Sequence, residues 1–171
     1  MSGWNPTVMA KGMEAIFWDF SIALYRSQGI KDACLALQDQ SGLDVNMLLY
    51  CCWAGQGGHR FSQEEMRRLQ ALSSSWQGKV MRAMRQLRQR IGQEPDAEDC
   101  YAAAKSLELQ LERVEQSRLL HEVPVRWGKG GREIATANLR AYLMLAAVVR
   151  DRTVNRHLEQ ILDAMSPKTA S

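Results

Sequence analysis

Between Thr7 and Glu94 the chain contains no proline, and few of its residues there are β-branched. Only proline both locks φ and removes a backbone donor, so nothing in this long span forces a helix to break. A shortage of β-branched residues argues against a sheet. Glycines supply the punctuation instead: Gly29, Gly42, the group Gly55, Gly57 and Gly58, and Gly92 each follow an apolar-periodic stretch, where helices end. The pattern predicts an all-α fold, a single-domain bundle of about six or seven helices. Residues 1–12 read as an N-terminal segment, 13–165 as the helical domain and 166–171 as a short polar tail expected to be disordered.

The first helix is expected from Met13 to Arg26. Met13, Phe17, Phe20 and Leu24 lie at helical spacing, and Ile16, Trp18, Ile22 and Tyr25 make it apolar almost all round, so it belongs at the centre. The second, Ile30 to Gln40, buries Cys34, Leu35 and Leu37. The third starts at Asp44 as N-cap and runs Val45 to Trp53; strand competes for so short an apolar run, but its neighbours are helical. Ser62-Gln63-Glu64-Glu65 is a capping box that opens a helix, which continues or kinks near Ser73-Ser74-Ser75.

Two oppositely charged segments come next. Trp76 to Gln93 carries Lys79, Arg82, Arg85, Arg88 and Arg90 and no acid; Glu94 to Glu122 carries eight acids and three bases. They meet at Gly92 and Pro95, which predicts a long helical hairpin over residues 76–122. At about 100° per residue, Trp76, Val80, Ala83, Met84, Leu87 and Ile91 form one side of the basic helix. Lys79, Arg82, Arg85 and Arg90 form the other, with Arg88 at the edge. The acidic helix opens at Pro95-Asp96, with acids in the first turn where the helix dipole favours them. Its apolar stripe is Cys100, Ala104, Leu107, Leu111 and Val114, and Glu108, Glu112 and Glu115 sit on one shoulder of that stripe. A glycine-rich loop, Arg126 to Gly131, then leads into an apolar helix from about Arg132 to Val149 and a last helix from about Thr153 to Met165. Trp18, Phe20, Leu24, Leu35, Leu48, Leu49, Trp53, Trp76 and Leu107 are the expected buried residues.

The totals exclude several classes. A net charge of +3 is too mild to imply nucleic acid without a local concentration of charge. The four cysteines, Cys34, Cys51, Cys52 and Cys100, contain no C-x-x-C pair, and His59, His121 and His157 are far apart, so no zinc site, no metal and no cofactor is expected. Unpaired thiols fit a reducing, cytoplasmic setting. Neither a signal peptide nor a membrane-inserted helix is expected. There is no G-x-S-x-G, P-loop or H-E-x-x-H motif.

Several segments, in order, resemble a known family: Trp18-Asp19-Phe20-Ser21, Ala33-Cys34-Leu35-Ala36-Leu37-Gln38-Asp39, Leu43-Asp44-Val45-Asn46-Met47-Leu48-Leu49, Met84-Arg85-Gln86-Leu87-Arg88, and Lys105-Ser106-Leu107-Glu108 leading into Glu112-Arg113-Val114-Glu115-Gln116. The chain is similar over roughly residues 14–120 to the proteobacterial family of unknown function DUF2390. That resemblance implies a small cytoplasmic bacterial protein whose genes often neighbour those of ABC-type ATPases. It implies no activity.

Candidate functional residues fall into two sets. Asp19, inside an apolar helix, needs a partner, a raised pKa or a task. With Gln38, Asp44 and Asn46 it would form a buried polar cluster, and such clusters more often fix packing than catalyse. A catalytic reading pairs Asp19 with Asp44. The second set is the charged hairpin, with Lys79, Arg82, Arg85 and Arg88 facing Glu108, Glu112 and Glu115, together with Trp127 in the glycine-rich loop. Self-pairing within the hairpin, a protein partner including a second copy, and RNA through the basic helix all remain open. A non-enzymatic interaction or adaptor protein is the leading expectation, an RNA- or ribosome-associated factor the second, and an enzyme using Asp19 and Asp44 the third.

Overall fold

A computed structural model describes residues 6–165, with side chains from Gly12 onward. The expected disordered tail, 166–171, lies outside the described residues, as do residues 1–5. The described part is all-helical: α1 (Pro6–Arg26), α2 (Ile30–Ser41), α3 (Val45–Gln56), α4 (Gln63–Trp76), a π-helical segment (Gln77–Met81), α5 (Arg82–Ile91), α6 (Glu98–Glu122), α7 (Arg132–Leu145) and α8 (Arg152–Met165). The helix at Ser73–Ser75 does continue, so α4, the π segment and α5 form one rod, and seven rods make up the bundle. The first helix begins at Pro6 rather than Met13, with proline at the first helical position, where its missing N–H costs nothing. Among the described residues no helix is long and apolar enough to cross a membrane.

Helix α3 is the axis of the body. Every residue from Asn46 to Gly55 is buried, because the sequence there is apolar on all sides and α1, α2, α4, α6 and α7 pack around it. Phe17, Tyr50 and Trp53 form an aromatic centre, with Phe17 5.1 Å from Tyr50 and 4.9 Å from Trp53 between ring centroids. The Tyr50 hydroxyl donates to the Val123 carbonyl, which satisfies its polar end and ties α3 to the end of α6. The capping box forms as expected: Ser62 N–H donates to Glu65 Oε2 (2.7 Å) and Glu65 N–H to Ser62 Oγ (3.2 Å).

The loop Arg126 to Gly131 is a close-packed joint. Gly131 N–H donates to the Gly55 carbonyl at 2.9 Å, and a Cβ on Gly55 would lie 2.3 Å from Ala135 Cα. A Cβ on Gly130 would lie 2.2 Å from the Gly55 carbonyl oxygen. Glycines on both sides are what let α7 lie directly on α3.

Leu24, Leu48, Leu49 and Trp53 are buried as expected, while Trp18, Phe20, Leu35 and Trp76 are half-buried. Leu107 is 47% exposed, and this departure extends along the hairpin.

Candidate functional site

The hairpin packs through a face rotated from its expected apolar stripes, keeping Met84 and Ala104 inside but not Leu87, Leu107 or Val114. In α5, Met84 stays inside, but Ala83 and Leu87 point out and Arg85 and Arg88 turn inward. In α6, Leu107 and Val114 are 47% and 40% exposed, while Glu115 and Gln116 are buried beside Ala104 and Leu119. The π segment explains part of the rotation. A π turn holds an extra residue, so a wheel drawn from Trp76 at a constant α-helical angle loses its phase beyond Met81. The rest is electrostatic: α5 and α6 run antiparallel and bring Arg88 Nε onto Glu108, with Arg85 Nε 3.6 Å from the same carboxylate. Both arginines and Glu108 are mostly shielded from solvent, so these pairs are worth more than exposed ones.

Deeper in the molecule the pairs continue into a buried network. Asp44 caps α3 by accepting from the Asn46 N–H at 2.9 Å. Its other oxygen accepts from the Ser73 hydroxyl, and its own backbone N–H donates to the Tyr142 hydroxyl at 2.9 Å. Gln77, at the start of the π segment, donates to Glu115 Oε2 at 2.9 Å and to Asp44 at 3.3 Å, and accepts from Arg85 at 3.0 Å. Asn46 donates to Glu115 Oε2 at 2.8 Å and accepts from Gln116 Nε2 at 3.0 Å.

Two carboxyls here leave their usual range. Burial pushes Glu115 well above it, and the neighbouring Asp44 carboxylate adds to the shift. Glu115 Oε1 finds no donor. Two carboxylates side by side repel, so Glu115 keeps its proton to higher pH than an ordinary glutamate. Burial likewise raises Glu112 to about 7, with Arg85 opposing the shift.

A groove of about 600 Å³ runs between α1, the α2–α3 corner and the hairpin. Its wall includes Trp18, Ser21, Tyr25, Gln38, Asp44, Asn46, Glu112 and Gln116, and its far end includes Arg88, Tyr101 and Lys105. Gln38, Asp44 and Asn46 thus share a site, as the sequence suggests. Asp19 does not join them: it is exposed on α1 and outside the groove, because its apolar neighbours do not surround it completely. The Asp19–Asp44 catalytic pair is therefore not assembled. Of the hairpin residues, Glu112 and Glu115 are corrected from surface to interior. Arg85 and Arg88 pair within the chain. Lys79 and Arg82 are exposed with no ion pair among the described residues. Trp127 is 48% exposed, its ring set edge-on against Trp53 at 5.3 Å. Among the described residues no cluster of three or more metal-ligating side chains occurs. Cys34, Cys51 and Cys52 are buried free thiols whose pKa values burial raises, Cys34 to about 12.

Sequence reasoning missed Ser21, Ser73, Gln77, Gln116, Tyr101 and Tyr142. One signal for part of this was present: Ala104, Glu108, Leu111, Glu115 and Leu119 recur at helical spacing, a mixed stripe that ignores polarity.

No curated protein and no solved structure matches the chain. A family model does match, over residues 16–119, a span that contains every residue lining the groove. The chain therefore belongs to the family described as protein of unknown function (DUF2390).

Proposed function

We propose that this is an interaction protein, an adaptor that works through the outer side of the α5–α6 hairpin. The observation that carries the reading is the inversion of that hairpin: apolar residues are left outside while carboxyls are buried. Leu87, Leu107 and Val114 are 51%, 47% and 40% exposed. By helical phase, Leu87 lies on the flank of α5 away from Arg85, and Leu107 and Val114 lie on the flank of α6 away from Glu112 and Gln116. In an antiparallel pair these flanks fall on one side, opposite the groove. Lys79, Arg82 and Arg90 are exposed on the same rod without ion pairs among the described residues. An apolar strip bordered by cations suits an acidic, amphipathic protein segment, with the cations steering association and the leucines supplying contact area. Against a phosphate backbone as the ligand, the exposed Leu87, Leu107 and Val114 would gain no apolar contact from it.

The test is affinity purification from the native host with three baits: wild type, Leu87→Ser with Leu107→Ser, and Lys79→Glu with Arg82→Glu and Arg90→Glu. A protein retained by wild type and lost by both variants supports the reading. Capture that is identical for all three baits overturns it. Capture of RNA that falls steeply with salt and is lost only in the charge variant would replace it with the nucleic-acid reading.

A further inference from the structure

We infer that the outer side of the hairpin docks on the same side of a second copy of this chain, with the two hairpins antiparallel about a twofold axis. The inference rests on the interaction reading above and names its partner. On α6, Cys100, Ala104, Leu107, Leu111 and Val114 recur at alternating steps of four and three residues, the spacing of a helix–helix seam. Helix α5 covers only one edge of that seam. Ala104 is buried and Leu111 half-buried, whereas Cys100, Leu107 and Val114 are exposed. By helical phase Ala103 lies beside Leu107 on α6, and Ala83 beside Leu87 on the facing flank of α5; all four are exposed. The result is an uncovered apolar strip two helices wide. From Cys100 to Val114 it runs about 21 Å, at about 1.5 Å per residue.

Charge decides which partner fits. At the tip of the hairpin Glu94, Asp96, Glu98 and Asp99 are exposed, with Arg90 the one cation close to them in sequence. At the stem Lys79, Arg82, Arg113 and Arg118 are exposed. The acids of that part are turned away: Glu115 is buried, and Glu112 lines the groove on the opposite side. None of the tip acids or stem cations forms an ion pair among the described residues. Arg113 and Arg118 lie over the rings of Trp18 and Trp76, which holds them in place without neutralising them. A face that is acidic at one end, apolar in the middle and basic at the other complements itself when turned about a twofold axis through its middle. Each tip then meets the partner's stem, and the apolar strips meet each other. Parallel docking would set acid on acid and base on base. The acidic, amphipathic segment that the strip calls for is thus the tip half of a second hairpin, and the two hairpins together form a four-helix bundle.

The experiment is sedimentation equilibrium of the full chain from about 1 to about 200 μM at low salt. The expected result is a reversible dimer with Kd on the order of 10 μM, weakened by added salt. Leu87→Ser with Leu107→Ser should abolish the dimer. Lys79→Glu with Arg82→Glu, and separately Glu94→Lys with Asp99→Lys, should each weaken it by about tenfold or more. An equimolar mixture of those two charge variants should regain the wild-type affinity, because each reversed end then meets its opposite; misfolded variants would not recover. Orientation is read from a spin label on Cys100, the exposed cysteine of the four. Antiparallel docking about a centre near Leu107 holds the two labels more than about 20 Å apart. A monomer throughout the range, charge variants that dimerise like wild type, a mixture that stays monomeric, or labels within about 10 Å of each other each overturns the inference. A monomeric chain that still captures another protein in the purification keeps the adaptor reading and loses this one, so the two fail separately.

Discussion

Helices α3 and α6 both contribute to the interior, by opposite means. Around α3 the work is mainly apolar: Met47, Leu48, Leu49, Tyr50 and Trp53 are enclosed by five helices, and burial holds them, aided by the Tyr50 hydroxyl's bond to the Val123 carbonyl. On α6 the buried face carries Glu115 and Gln116, and what holds it is a chain of hydrogen bonds from Asn46, Gln77 and Asp44, extended by the pairing of Glu108 with Arg85 and Arg88. The difference separates robustness from specificity. An apolar axis tolerates exchange of one aliphatic residue for another of similar volume. A polar face has to be complete, because each group left unpaired is costly. It also responds to pH, as the aliphatic side chains of the α3 core do not.

The comparison is tested first where the effect is largest. Trp53→Ala opens a cavity at the aromatic centre and should lower unfolding free energy by about 3–5 kcal/mol in urea denaturation. A loss below that range would mean that α3 is not the axis. Asp44→Ala removes the cap of α3 and strands the Ser73 hydroxyl, and should cost about 2 kcal/mol by the same measurement. A neutral result would break the network account at its junction.

The third test uses pH. An unfolded glutamate ionises near 4.3, whereas Glu112 and Glu115 keep their protons to higher pH in the fold. Between those values the unfolded state has lost protons that the native state still holds. Stability from these groups is therefore fully present below about pH 4.3 and declines as pH rises through 7 and beyond. Glu115→Gln keeps the acceptor for Asn46 and Gln77 and cannot ionise. It should flatten the decline and be more stable than wild type by about 1 kcal/mol at pH 8, with a smaller gain at pH 5. Thermal unfolding across that range reads it; parallel curves for the two proteins would contradict the raised pKa.

Much of this fold is written locally. The α3 run is legible because its apolar residues face every direction and Asp44 stands at its start; Ser62 to Glu65 announces its own helix. The hairpin was legible as a hairpin, from opposite charges on either side of Gly92 and Pro95. Its packed face was not. Periodicity assigns the interior to apolar residues, and here Glu108 and Glu115 share a helical phase with Ala104 and Leu111, so polarity and packing separate. The π segment moves the phase again by an amount no propensity reveals. The joint of Gly55 with Gly130 is equally hidden, since it depends on two segments distant in sequence coming close enough to exclude a Cβ. In the groove, Asn46 and Asp44 were visible as polar residues flanking an apolar run, but Ser21 looked like any small residue in a helix. Its missing partner becomes visible only when the neighbouring helices are in place.

The most direct test of the inverted hairpin is a paired stability measurement on Leu107→Ser and Glu108→Ala by urea denaturation at pH 7. The structure predicts that Leu107→Ser stays within about 0.5 kcal/mol of wild type, as an exposed position does, and that Glu108→Ala loses about 1–3 kcal/mol by leaving Arg85 and Arg88 half-buried without their carboxylate. The opposite order, with Leu107→Ser costly and Glu108→Ala neutral, would mean that the apolar stripe packs inward and would contradict the account.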